Sequence, residues 1–144
     1  MLALAIVACA SPGRDQSVET WRDPVTGMEF VLVPAGEFVM GLRDDEVDVR
    51  PAPSHAVRVT RPFFLGRFEV TQAQWQKVVG AAPSQLSECG PDCPVESVSW
   101  NDVRDFLGRL SSLNAGERFR LPTEAEWEYA CRAGGEGRYG EVDT

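Results

Sequence analysis

The chain has 144 residues, is 43% hydrophobic and 25% charged, and sets 22 acidic against 14 basic side chains for a formal charge of −8. That size gives room for one globular domain of ordinary dimensions. The negative balance, with basic residues scattered rather than clustered, excludes nucleic acid as a partner and disfavours anionic lipid surfaces, because both repel a net negative protein that lacks a basic patch.

The chain opens with MLALAIVACA, an apolar run from Leu2 to Ala8 that meets Cys9. The run is too short to cross a bilayer, which takes about 20 apolar residues. Ile6-Val7-Ala8-Cys9 resembles a bacterial lipobox, in which cleavage before the cysteine precedes lipidation of its sulfur. No Lys or Arg precedes the run, as a secretory signal normally requires, so an accidental apolar stub is the competing reading. The expectation is a leader over residues 1–9, an exported envelope lipoprotein on the periplasmic or outer-membrane side, and membrane anchoring through Cys9. A polar tether over 10–23 follows, and the folded part starts near Pro24 and runs from 24 to 144.

Met28 to Val33 and Glu37 to Met40 are β-rich and flank Pro34-Ala35-Gly36, which predicts a hairpin. Arg43 to Ser54 is an acidic, proline-bearing loop. Alternation in Ala56 to Val59 and in Phe68 to Val70 predicts extended segments interrupted at Pro62. Three helices with explicit start signals come next. Thr71 with Gln74 forms a capping box and Gly80 closes that helix. Ser99 precedes a helix whose Trp100, Val103, Phe106, Leu107, Leu110 and Leu113 recur at helical spacing, a set whose burial contributes on the order of 10 kcal/mol gross. Thr123 with Glu126 opens the third helix, Pro122 is placed to staple onto Trp127, Glu124 and Arg132 complement the helix dipole, and Gly134-Gly135 ends it. Among the charged residues of this window only Glu128 lacks a structural reason.

The chemical resources are few. His55 stands without a second histidine at ligand spacing, and no phosphate loop, GxSxG elbow or paired metal motif occurs. Glu124, Glu126 and Glu128 spread around a helix rather than converge on one atom. Four cysteines remain. Cys89-Gly-Pro-Asp-Cys93 brings two thiols around a turn, open to a disulfide, a shared soft metal ion or two free thiols; export favours the disulfide. Cys131 has no evident partner.

GMEFVLVPAGEFVMG at 27–41, RPFFLGRFEVTQAQW at 61–75, CPVESVSWNDVRDFLGRL at 93–110 and RLPTEAEWEYACRAG at 120–134 resemble the sulfatase-modifying-factor family, which includes the formylglycine-generating enzymes. The resemblance implies an α+β, atypical C-type-lectin-like fold with little regular secondary structure. It implies copper- and oxygen-dependent oxidation of a cysteine in a protein or peptide substrate, with copper(I) on two cysteines and calcium elsewhere in the intact domain. Neither Cys89 nor Cys93 matches the copper pair, so no catalytic, cofactor or metal residue is carried onto this chain, which corresponds to about the first half of the domain. Cys131 matches a position that bridges to a cysteine of the other half in some members. Such a fragment is expected to be marginally stable. The alternative is a non-catalytic, lipid-anchored envelope protein that binds or scaffolds on the same fold; an ergothioneine-type sulfoxide synthase is a third reading, disfavoured by the single histidine.

Overall fold

Asp23-Pro24-Val25-Thr26-Gly27 makes a tight turn. In the computed structural model, which describes residues 7–8, 19–41, 54–114 and 117–133, this turn joins strand β2 (Thr20–Arg22) to β3 (Glu29–Val33). Asp23 is fully buried, yet its carboxylate accepts from the backbone N–H groups of Val25 and Thr26 and from the Thr26 hydroxyl. Gly27 takes φ 77°, a left-handed value that suits glycine, and its N–H bonds the Asp23 carbonyl at 2.8 Å. Trp21 on β2 then packs against Phe30 at 5.2 Å and Phe119 at 6.0 Å between ring centroids.

The chain divides into two compact units. The first, residues 1–32 and 63–121, holds a five-stranded sheet in the order β2-β3-β6-β1-β7, with β1 at Val7–Ala8, β6 at Phe63–Gly66 and β7 at Phe119–Arg120. Helices α1 (Gln72–Val79) and α2 (Trp100–Leu113) belong to the same unit. Its core joins Phe30, Phe64, Val70, Trp75, Phe106 and Leu110, and the Trp75 and Phe106 rings stack 4.7 Å apart and 4° from parallel. The Ser111 hydroxyl ties α2 to β7 by donating to the Leu107 carbonyl and accepting from the Phe119 N–H.

The second unit, residues 33–62 and 122–144, holds a two-stranded antiparallel pair, β4 (Gly36–Met40) with β5 (His55–Val59), and helix α3 (Glu124–Arg132). Each of the three helices starts with a complete capping box, Thr71 with Gln74, Ser99 with Asp102 and Thr123 with Glu126. Each box satisfies backbone N–H donors that the first helical turn leaves orphaned.

Several expectations are corrected. The Met28–Met40 segment is not a hairpin: β3 pairs with β2 and β6, and β4 pairs with β5. Neither Ala35 nor Gly36 is among the residues at positive φ, which the tight hairpin turns require, so the chain continues from one sheet to the other. The tether read over 10–23 gives way to β2 at Thr20, where Trp21 supplies the packing. Residues 68–70 are not a strand, since β6 ends at Gly66. In α2 only Val103, Phe106, Leu107 and Leu110 are buried, while Trp100 and Leu113 are 63% and 52% exposed. The four buried residues fill an arc of roughly 100° on the helix and the other two fall on its flanks. Helix α3 is closed by Ala133 at φ 47°, one residue before the predicted glycines, which lie outside the described residues.

Candidate functional site

Two places gather the residues singled out by the sequence. In the first unit, the loop before α1 and the disulfide segment meet. Cys89 and Cys93 are joined by a disulfide with Cα atoms 5.9 Å apart, following a 3₁₀ turn at Ser87–Cys89. The carbonyl of Cys93 accepts from the Gln72 N–H at 2.8 Å and that of Pro91 from the Ala73 N–H at 2.9 Å, while Thr71 Oγ1 takes the Gln74 N–H. The first three N–H groups of α1 are thus capped, two of them by the disulfide loop. Thr71 also bridges Pro94, and Val95 N–H bonds the Val70 carbonyl, so the loop is fastened on both sides. Replacing both cysteines by serine is expected to lower stability by about 2 kcal/mol through the loosened five-residue loop, read as a shift of the urea midpoint.

An open groove of about 580 Å³ lies beside this loop, lined by Arg67, Phe68, Glu69, Gln74, Asp92 and Pro94. Phe68 is 67% exposed with the Arg67 guanidinium 5.3 Å from its ring centre. A smaller cavity of about 200 Å³ shares Phe68, Glu69 and Gln74 and is bounded by Arg22, Glu29 and Phe30. Glu29 accepts from Arg22 at 2.6 Å and sits 3.6 Å from Arg67. That hydrogen bond, and then the charge of both guanidiniums, holds the Glu29 carboxyl below the ordinary 4.5. The Ser99 hydroxyl and N–H do the same for Asp102 at the start of α2. Because both folded-state values are depressed, the stability they contribute is present above the ordinary carboxylate range and is lost as the pH falls through the folded values. Glu29→Gln and Asp102→Asn are therefore expected to lower stability at pH 7 and to converge with the wild type in acid, which flattens the acid side of the stability curve, as followed by thermal melts across pH.

In the second unit Glu128, the glutamate without a sequence-level reason, has one in the structure. Its Oε1 accepts the Gly41 N–H at 2.9 Å and both the Nε and Nη2 of Arg132, at 2.9 and 2.7 Å. Arg132 Nη2 returns to the Gly41 carbonyl at 2.7 Å. The pair clasps both polar groups of one residue at the end of β4. Tyr129 packs at a tilt against Phe38, 5.3 Å between ring centroids, and a Cβ on Gly36 would lie 2.2 Å from its hydroxyl, which explains the glycine. Glu124 is exposed, Glu126 is spent on the cap, and the three glutamates do not converge. Trp127 is 49% exposed, so it does not serve as a buried anchor, and Cys131 is a free, exposed thiol. His55 is exposed at the start of β5, and Cys9 lies outside the described residues.

Copper(I) held by two cysteines needs a pair of free thiolates. The sulfurs of Cys89 and Cys93 are consumed in their disulfide, Cys131 is single, and the described residues hold no cluster of three or more His, Cys, Asp or Glu able to hold a metal. The donor set of the described residues does not fit that metal.

Short strands, capped helices and irregular connections stitched by a disulfide define a mixed α+β scaffold, in which Thr71, Ser99 and Thr123 cap helices and Glu128 and Arg132 clasp Gly41. The solved structure of PvdO from Pseudomonas aeruginosa has the same fold, with a TM-score of 0.78 at 30% identity over 90% of this chain and 56% of that one. Residues 16–143 match the sulfatase-modifying factor enzyme 1-like domain, and the chain belongs to that family. It is similar to the formylglycine-generating enzyme of Bos taurus, 29% identical over 80% of this chain and 42% of the relative. It is also similar to a protein named chaperone protein LppX of Paenibacillus barcinonensis, 32% identical over 50% of this chain and 36% of the relative. The chain thus spans less than half the length of these curated relatives.

Proposed function

We propose that this chain is the scaffold half of a formylglycine-generating-type domain and does not by itself carry the oxidation of a substrate cysteine. The observation that carries the proposal is the fate of the cysteines: the only two that are near in sequence are joined to each other in a disulfide, which removes their sulfurs as copper ligands. Two features accompany it. The chain covers 42% of the bovine enzyme, and Cys131 is exposed on the last described helix, where it can bridge to a cysteine in a further part of the domain. Incubating the purified chain with copper(I), oxygen and a cysteine-containing peptide is expected to leave the peptide unchanged; an aldehyde product detected by mass spectrometry would contradict the proposal.

A second reading, a lipid-anchored envelope protein that uses the scaffold for binding, is favoured by the apolar run ending at Cys9 and by the relative named LppX. Among the described residues no helix is long and apolar enough to cross a membrane. Metabolic labelling with a palmitate analogue tests it: label on the wild type and none on Cys9→Ser is expected, and equal labelling of the two removes the anchor.

A further inference from the structure

The Cys89–Cys93 disulfide holds more than its own loop. The carbonyls of Pro91 and Cys93, which accept from the Ala73 and Gln72 N–H groups, belong to the very segment that the bond closes. Within that segment Gly90 takes φ 104°, a left-handed value that suits glycine. The Cys93 N–H meets the Gly90 carbonyl at 3.2 Å, the long end of the ordinary range, so the turn depends on the covalent bond. Cys89, Pro91 and Asp92 are exposed, which puts the disulfide on a surface loop within reach of a dissolved thiolate.

The base of the loop is held independently of the sulfurs. The Val95 N–H bonds the Val70 carbonyl at 2.8 Å, and Glu96 Oε1 accepts the Leu86 N–H at 3.0 Å. Helix α1 keeps its Thr71–Gln74 box and its buried Trp75 and Val78 whatever the loop does. Opening the bond therefore frees the tip of the loop and uncaps two N–H groups while the helix stays in place. We propose that Cys89–Cys93 is a redox-sensitive latch on the start of α1: reduction by a dithiol releases the Pro91–Cys93 segment, and reoxidation closes it again. In the opening step a thiolate of the reductant attacks one sulfur, the Cys89–Cys93 bond breaks and a mixed disulfide forms. The second thiol of the reductant then displaces the protein sulfur. Two electrons and two protons pass to the cysteines, and the reductant leaves as its own disulfide. Asp92 and Pro94 line the groove beside Phe68, so the latch also sets one wall of that groove. The inference goes beyond the scaffold role, and its readout does not depend on any activity of the domain.

The test follows hydrogen exchange of the full chain, oxidised and after excess dithiothreitol, with alkylation and mass spectrometry to establish that Cys89 and Cys93 have become thiols. The amides of Gln72 and Ala73 are expected to accelerate at least about tenfold more than those of Leu107 and Leu110 in α2. A staple that only stabilises the fold would, when opened, speed all four alike, and that result overturns the latch. Resistance of the bond to the reductant in the folded chain overturns it too. Reoxidation with oxidised glutathione is expected to restore protection at Gln72 and Ala73, and a lasting loss counts against a reversible device. The Cys89→Ser, Cys93→Ser double variant is expected to exchange like the reduced chain and to ignore dithiothreitol. A response of its Gln72 and Ala73 amides to the reductant would place the effect on other cysteines and contradict the assignment.

Discussion

Phe106→Ala is expected to cost about 3–5 kcal/mol, enough to unfold the first unit under ordinary conditions. Phe106 is fully buried at the middle of the inward face of α2, and its ring lies flat on that of Trp75 from α1. Truncation would remove the transfer free energy of the ring, the stacking contact and the packing of α1 on α2 together. The neighbours cannot collapse into the space without shifting α1, whose start is pinned by the Cys93 and Pro91 carbonyls. Trp100→Ala on the same helix is the internal comparison. At 63% exposure it is expected to change stability by less than about 1 kcal/mol, although the sequence pattern places both residues on one stripe. Urea melts of the two variants, read by circular dichroism, check the contrast.

Glu128→Ala is expected to destabilise the second unit by about 2 kcal/mol. The substitution leaves the Gly41 N–H without its acceptor and Arg132, whose side chain is only 14% exposed, without its counter-charge. The penalty is that of partly buried groups left unpaired, which exceeds the worth of a surface ion pair. Glu128→Gln keeps an acceptor for Gly41 but removes the charge facing Arg132, and should fall between the wild type and the alanine variant. Glu124→Ala, which alters an exposed carboxylate at the first turn of the same helix, is expected to cost no more than about 0.5–1 kcal/mol. Differential scanning calorimetry with hydrogen exchange at Gly41 distinguishes the three.

These comparisons show which features were legible in the sequence. The capping boxes at Thr71 and Thr123 were, because their partners lie three residues away and the bond is local. Asp102 completes a third box with Ser99 and could have been found by the same spacing rule had aspartate been accepted in place of glutamate or glutamine. The strands themselves were mostly visible as β-rich runs, but the pairing of β3 with Phe63–Gly66 was not, since local pattern says nothing over that distance. The Asp23–Gly27 turn carried a legible signal in its aspartate, proline and glycine, which a reading of residues 10–23 as a polar tether obscured. Glu128 could not be explained locally because the peptide it holds is 87 positions away. The family was legible because its signature segments coincide with elements that fix the scaffold, Trp75, Phe106 and the cap at Thr123 among them.

The role of the two nearby cysteines is where scaffold and catalyst part most sharply. Copper(I) titration of the air-oxidised chain against a chromophoric competitor, with ascorbate as the reductant so that disulfides persist, addresses it directly. The wild type and the Cys89→Ser, Cys93→Ser double variant are expected to leave the competitor equally loaded. Stoichiometric withdrawal of copper by the wild type that disappears in the double variant would show that these sulfurs bind the metal, and would contradict the assignment of this chain as scaffold alone.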